Sequence, residues 1–151
     1  MWIHMRVQRA MMMSIAFGVV ALSGCGGLLG RGGSEREYQI ATNKTDYTRG
    51  STGEATIRNA TDETLQYNLC QRRLERQAGN NWVPAFEWPV AGGACTSEAR
   101  SLSKGASVNT FFDIPTGIPA GKYRVVFTNL LGEDGKPVSP DRAATPQFEV
   151  R

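Results

Sequence analysis

Cysteines and aromatic side chains are the residues of this chain best equipped for chemistry. There are three cysteines, Cys25, Cys70 and Cys95. A thiol can be acylated, oxidised to a disulfide, made into a nucleophile or bound to a metal, and its surroundings select among these fates. Histidine would normally accompany the last two, and the only histidine is His4. Because His4 lies within a leader-like stretch, the rest of the chain holds no imidazole for a hydrolase triad, a Cys-His dyad or a zinc site. Catalysis would then fall to carboxylates. Asp113, Glu87 and Glu98 follow no spacing that marks an acid–base pair. No enzymatic activity, cofactor or metal is therefore expected. The aromatics are concentrated in one stretch, Trp82-Val83-Pro84-Ala85-Phe86-Glu87-Trp88, which ends a few residues before Cys95. Trp82, Phe86 and Trp88 offer flat apolar surface to a peptide or a sugar ring if exposed, and plug the end of a sandwich if buried.

The segment that positions Cys25 is read from its polarity. Arg6 and Arg9 precede an apolar run from Ala10 to Leu22. As a helix this run would be about 20 Å long, against about 30 Å of bilayer hydrocarbon, which is short for a permanent span and usual for a secretion signal. Small residues follow, in the order Leu22-Ser23-Gly24-Cys25. This resembles the lipobox of bacterial lipoproteins at all four positions. The resemblance implies cleavage after Gly24, a diacylglycerol on the Cys25 thiol and acylation of the new amine. Two or three chains anchor stably where one is marginal. Gly26 stands where Asp would resemble an inner-membrane retention signal, so the resemblance implies the outer membrane.

Residues 26–36 hold five glycines and read as a flexible tether reaching about 18 Å. The expected organisation is thus a signal peptide over 1–24, a lipidated cysteine and tether over 25–36, and one domain over 37–151. Discounting Arg6 and Arg9 from the 17 basic residues leaves 15 against 14 acidic ones. So even a balance gives no basic stripe, and no nucleic-acid partner is expected.

Across 37–151 apolar residues recur at period two between Gly, Pro, Asn and Asp, and never at helical spacing over three turns. Strands are expected at 38–40, 54–58, 65–70, 73–77, 107–114, 122–130 and 147–150, with Trp82-Val83 pairing back across Asn80-Asn81. Inward faces would be Ala55 and Ile57, then Val108, Thr110, Phe112 and Ile114, then Tyr123, Val125 and Phe127. Arg73–Gln77, with Leu74 as its only apolar residue, reads as a polar edge, and Arg72, Arg73 and Arg76 as its solvated guard. Seven or eight short strands make an antiparallel β-sandwich.

Several residues sharpen this reading. Tyr47 with Gly50, a strand ending at Asn59, a Cys-bearing strand, a Trp after a two-residue turn, and Pro119-Ala120-Gly121-Lys122-Tyr123-Arg124-Val125 together resemble bacterial immunoglobulin-like domains. That resemblance implies an Ig-like sandwich, with Tyr123 as a tyrosine corner.

In an exported domain Cys70 and Cys95 are most simply a disulfide, since no C-x-x-C spacing, histidine or third ligand accompanies them. Alternation sets Cys70 opposite Leu65 and Tyr67, so the bridge should lie outside the core and pin the Ala85–Cys95 segment over an outer face or edge. Ser101-Leu102-Ser103-Lys104 matches the S-x-x-K of penicillin-binding enzymes, but its companion motifs are absent. The functional expectation is a lipid-anchored, non-catalytic envelope module. Its partners would be the membrane through Cys25 and an envelope protein or glycan. The alternatives are a protease inhibitor acting through the Trp82–Cys95 loop and a carbohydrate-binding module using Trp82, Phe86 and Trp88.

Overall fold

A computed structural model of the chain describes residues 37–88 and 95–151. The expected leader, the lipidated Cys25 and the tether lie outside the described residues. Among those described there are nine strands: β1 (Tyr38–Thr42), β2 (Asp46–Tyr47), β3 (Thr52–Asn59), β4 (Leu65–Ala78), β5 (Asn81–Trp88), β6 (Arg100–Leu102), β7 (Ser107–Asp113), β8 (Gly121–Leu130) and β9 (Phe148–Val150). One sheet has the order β1-β3-β7. The other runs β2-β9-β8-β4-β5, with β6 also paired to β4. All pairings are antiparallel except β2 with β9. The chain thus enters in the narrow sheet and crosses to the wide one at β2. This is the expected immunoglobulin-like sandwich.

Alternation builds the core. Ala55 and Ile57 of β3 and Phe112 of β7, followed by Ile114, face Leu65, Leu74, Tyr123, Val125, Phe127 and Phe148 of the wide sheet. Phe112 stacks on Phe148 with ring centres 5.8 Å apart and meets Tyr47 edge-on at 5.5 Å, so aromatic packing ties the layers together. Tyr38 Oη donates to the carbonyls of Gln66 and Leu131, each at 2.8 Å, bridging one sheet to the other. Tyr123 Oη donates to Pro119 O at 2.7 Å, the tyrosine corner expected from the sequence. Gly121 enters β8 at φ 147°, a conformation other residues rarely adopt.

Two expectations are corrected. The strands expected at 65–70 and 73–77 are one strand, β4, and it is central: β8 lies on one side, and β6 then β5 on the other. Leu69, Cys70 and Gln71 lie opposite Thr128 alone, between the pairs Asn68–Asn129 and Arg72–Phe127. This bulge shifts the phase of β4. Inward positions are Leu65 and Tyr67 before it, and Arg72, Leu74 and Arg76 after it. The three arginines are therefore no solvated guard. Arg72 and Arg76 face the other sheet, whereas Arg73 faces out and pairs with Glu75 at 2.7 Å.

Candidate functional site

The disulfide joins Cys70, on the bulge, to Cys95, with Cα atoms 5.6 Å apart. It ties Cys95, which leads toward β6, to the middle of β4; of the Ala85–Cys95 segment that the bridge was expected to pin, Ala85–Trp88 belong to β5 and are held by strand pairing. Asn68 reinforces the attachment: its Nδ2 donates to Thr96 O at 2.6 Å and Glu98 O at 3.0 Å, and its Oδ1 accepts from Cys70 N at 2.9 Å. Between the segment after Cys95 and β7 lies a cleft of about 310 Å³, lined by Leu69, Cys70, Arg72, Glu98, Val108 and Asn109, among others.

The expected binding loop is mostly not a loop. Trp82 to Trp88 belong to β5, paired to β4, and residues 89–94 lie outside the described residues. Nor do its three aromatics share a surface. Pairing shifts at Leu74/Glu75, where Phe86 faces Leu74 but Pro84 faces Glu75, leaving Ala85 as an extra residue. That bulge sends Trp82 outward and Phe86 and Trp88 inward. Trp82 lies under the Arg124 guanidinium, 4.7 Å from its ring centre. Phe86 and Trp88 form a T-shaped pair at 5.2 Å.

Although they face inward, Phe86 and Trp88 are only half-buried, and Val83, on the same face, is 41% exposed. The cause is the width of the layers: three strands oppose a wider sheet, so among the described residues no strand of the narrow sheet lies over β5, which projects as a shelf. Arg72 stands at the back of the shelf. Its guanidinium lies 5.4 Å from the Trp88 ring centre. It donates to Leu69 O at 2.9 Å and, across the layers, to Phe111 O at 2.8 Å. Burial lowers the pKa of Arg72, and the negative charge of Asp113 opposes that shift. Phe111 itself, on β7, is 63% exposed. Sequence reasoning missed it, yet a signal was present: along Ser107, Asn109, Phe111 and Asp113 it is the one apolar residue on an otherwise polar face.

The carboxylates weighed for catalysis are spread over three elements. Asp113 ends β7 and accepts from Thr52 Oγ1 at 2.6 Å, Glu87 is on β5, and Glu98 precedes β6. Lys104, of the S-x-x-K match, is ion-paired with Asp62. Among the described residues no three His, Cys, Asp or Glu side chains converge where a metal ion would fit. Among them, too, no helix is long and apolar enough to cross a membrane.

A two-layer antiparallel sandwich with a tyrosine corner and a strand that changes sheets near its start is the immunoglobulin-like class. The chain belongs to the bacterial Ig-like domain family, whose model matches residues 34–134. No curated protein matches it. Among solved structures it is similar to the alkylpurine DNA glycosylase AlkC of Pseudomonas fluorescens bound to DNA containing an abasic site analog, at 14% identity over 79% of this chain and 32% of that one, with a TM-score of 0.41. The sporulation control protein Spo0M of Bacillus subtilis is similar at 10% identity over 76% and 49% of the two chains, with a TM-score of 0.45. The ASH/PapD-like domain 7 of human CEP192 is similar at 13% identity over 92% and 94%, with a TM-score of 0.32. This chain therefore spans a third to a half of the length of the first two. Similarities at this level carry no functional information.

Proposed function

We propose that this chain is a lipid-anchored, non-catalytic binding module of the bacterial cell envelope, held to the outer membrane through acylated Cys25. Leu22-Ser23-Gly24-Cys25 after an apolar run supports the anchor, and the Gly-rich stretch behind it supports a domain kept near the bilayer. Family membership supports a module without catalysis in this location, since bacterial Ig-like domains are commonly extracellular or envelope-associated. The observation that carries the binding role is the half-buried pair Phe86 and Trp88 on the shelf of β5, over which no strand of the narrow sheet lies among the described residues. An apolar surface left open on a disulfide-braced scaffold suits a partner better than it suits packing alone.

The shelf favours a protein partner over a glycan. Sugar rings stack on open, flat aromatic faces, whereas Phe86 and Trp88 are inclined by 68° and Arg72 occupies one face of Trp88. A protease-inhibitor reading has lost its protruding loop over residues 82–88, which are paired strand.

The test is mass spectrometry of the chain isolated from its host membranes, together with chemical cross-linking from residue 86. Acyl mass on an N-terminal Cys25 and a reproducible cross-linked envelope protein are expected. An intact leader, or an unmodified Cys25 thiol, would overturn the anchored-module reading.

A further inference from the structure

The free edge of β7 and the shelf beneath it have the form of a vacant strand position. Ile114 N donates to Ser51 O at 2.8 Å, and Asn59 N donates to Ala106 O at 3.0 Å, so the even-numbered residues of this segment bond toward β3. The odd ones face away, as Phe111 O shows by accepting from Arg72 on the opposite side. The N–H groups of Asn109 and Phe111 consequently point to the open edge and have no partner among the described residues. β7 pairs with β3 over all seven of its residues without Pro, Lys or a bulge, the usual guards of an edge. The edges of the wide sheet are guarded, since β2 has two residues and β5 carries Pro84 and its bulge. β1, the second edge of the narrow sheet, has five residues against the seven of β7, and no such shelf is placed beside it among the described residues.

Below that edge, the wide sheet extends one strand further, as β5. The step is about 4.8 Å wide, the spacing of one strand. Its floor is Phe86 and Trp88 and its back wall is Arg72, which also lines the cleft between Asn109 and Glu98. Arg72 has no carboxylate hydrogen-bonded to it among the described residues: its two hydrogen bonds go to neutral carbonyls, its buried Nε has no acceptor there, and Asp113 acts on it through charge alone.

A second copy does not fit this seat. Antiparallel pairing of two β7 edges about a two-fold axis would lay one copy's β5 where the other's β4 must lie, because each wide sheet projects a strand beyond the narrow one. A single strand meets no such collision.

We propose that the free edge of β7 takes up one extended strand from an envelope protein, alternating apolar residues over Phe86 and Trp88 and presenting one carboxylate to Arg72. The proposal rests on the binding-module reading and adds the mode and chemistry of recognition. Strand addition supplies main-chain hydrogen bonds for affinity and alternate side-chain pockets for selectivity.

The test is panning of a phage-displayed library of random nonapeptides against the detergent-solubilised full chain, then titration of the enriched peptides by tryptophan fluorescence. Enriched sequences should alternate apolar and polar residues and carry one Asp or Glu. Asn109→Pro removes an outward N–H without touching the ladder to β3, so it should weaken binding at least about tenfold with little change in thermal unfolding. Arg72→Gln should weaken the acidic peptides about tenfold and leave their amide analogues unaffected. N-methylation walked along the peptide needs no protein variant: affinity should be lost at every second residue. No enrichment, no period of two, or wild-type affinity in Asn109→Pro would each overturn strand addition. A β7-dependent dimer in sedimentation would do so as well. Failure of the module reading shows separately, as an unmodified Cys25.

Discussion

Glu75 shows how much a single polar residue can decide. It is 3% exposed, yet each carboxylate oxygen is held by one arginine. Oε1 accepts from Nε and Nη2 of Arg73, each at 2.7 Å, and Oε2 from Nε and Nη2 of Arg124, each at 2.8 Å. Arg124 also binds Asp141 at 2.8 Å and covers Trp82. Two forked guanidinium contacts make burial of this carboxylate tolerable. Replacing Glu75 by alanine leaves both arginines facing each other, and should cost about 3 kcal/mol. That sits at the low end for a broken buried pair, because both partners keep some solvent contact. A urea-unfolding midpoint unchanged in Glu75→Ala would contradict this. Gly53 is decided by space instead. A Cβ there would lie 2.5 Å from Phe112 Cζ and 2.8 Å from Tyr47 Cε1, inside the aromatic packing that joins the layers. Gly53→Ala should destabilise by about 1–3 kcal/mol, read as a lower thermal midpoint, although alanine elsewhere in a strand usually helps.

At the scale of elements, legibility followed regularity. β3, β7 and β8 keep strict alternation, and their inward residues Ala55, Ile57, Phe112, Val125 and Phe127 were all readable from the sequence. So was the tyrosine corner, through the resemblance of Pro119–Val125 to bacterial Ig-like domains. β4 and β5 were not readable, and bulges are the reason. An inserted residue at Ala85 turned Trp82 away from Phe86, and the bulge at 69–71 turned Arg72 inward; neither leaves a mark in polarity alone. The edge status expected for Arg73–Gln77 failed because a buried carboxylate between two arginines looks, in sequence, like a solvated strand. The candidate site was legible only in part: Phe86 and Trp88 belong to it, Trp82 does not, and Arg72 and Phe111 appear only once the two sheets are stacked. Cys70 and Cys95 brace this irregular region. Their separation of 25 residues gives a loop whose closure is worth about 3.5 kcal/mol in the chain-entropy model. Cys70→Ala with Cys95→Ala should lower stability by roughly that amount in urea unfolding. Amide exchange should quicken in residues 95–102, held by the bridge and Asn68, before it does in β3. Uniform quickening across both sheets would show that the bridge braces the whole sandwich and not this edge.

Across the whole molecule, tyrosines join what the strands alone leave separate, and this sets the response to alkali. Tyr38 bridges the sheets, Tyr47 donates to Asn43 Oδ1 at 2.7 Å beneath the aromatic packing, and Tyr123 closes its corner on Pro119. Burial raises the pKa of all three above the ordinary value of 10.0, and for Tyr38 the nearby Glu37 charge adds to it. The sign follows from where protons bind. Below pH 10 these phenols are neutral in both folded and unfolded chains, so their contribution to stability is fully present. Above it the unfolded chain ionises first and the folded one keeps its protons, so stability falls as pH rises. Each such group removes at most about 1.4 kcal/mol per pH unit, and three acting together about 4 kcal/mol. Stability should therefore decline progressively as pH rises above 10, toward cooperative alkaline unfolding. Phenolate absorbance and far-ultraviolet circular dichroism measured together check this: three of the four tyrosines should ionise only as the β signal collapses. Tyr123→Phe removes one ionising group and one hydrogen bond. It should lower stability at neutral pH by about 1 kcal/mol and make the alkaline decline shallower. Full phenolate absorbance while the sheets remain intact would mean that these hydroxyls are not buried ties between layers, and the account of how the sandwich is held together would fail with it.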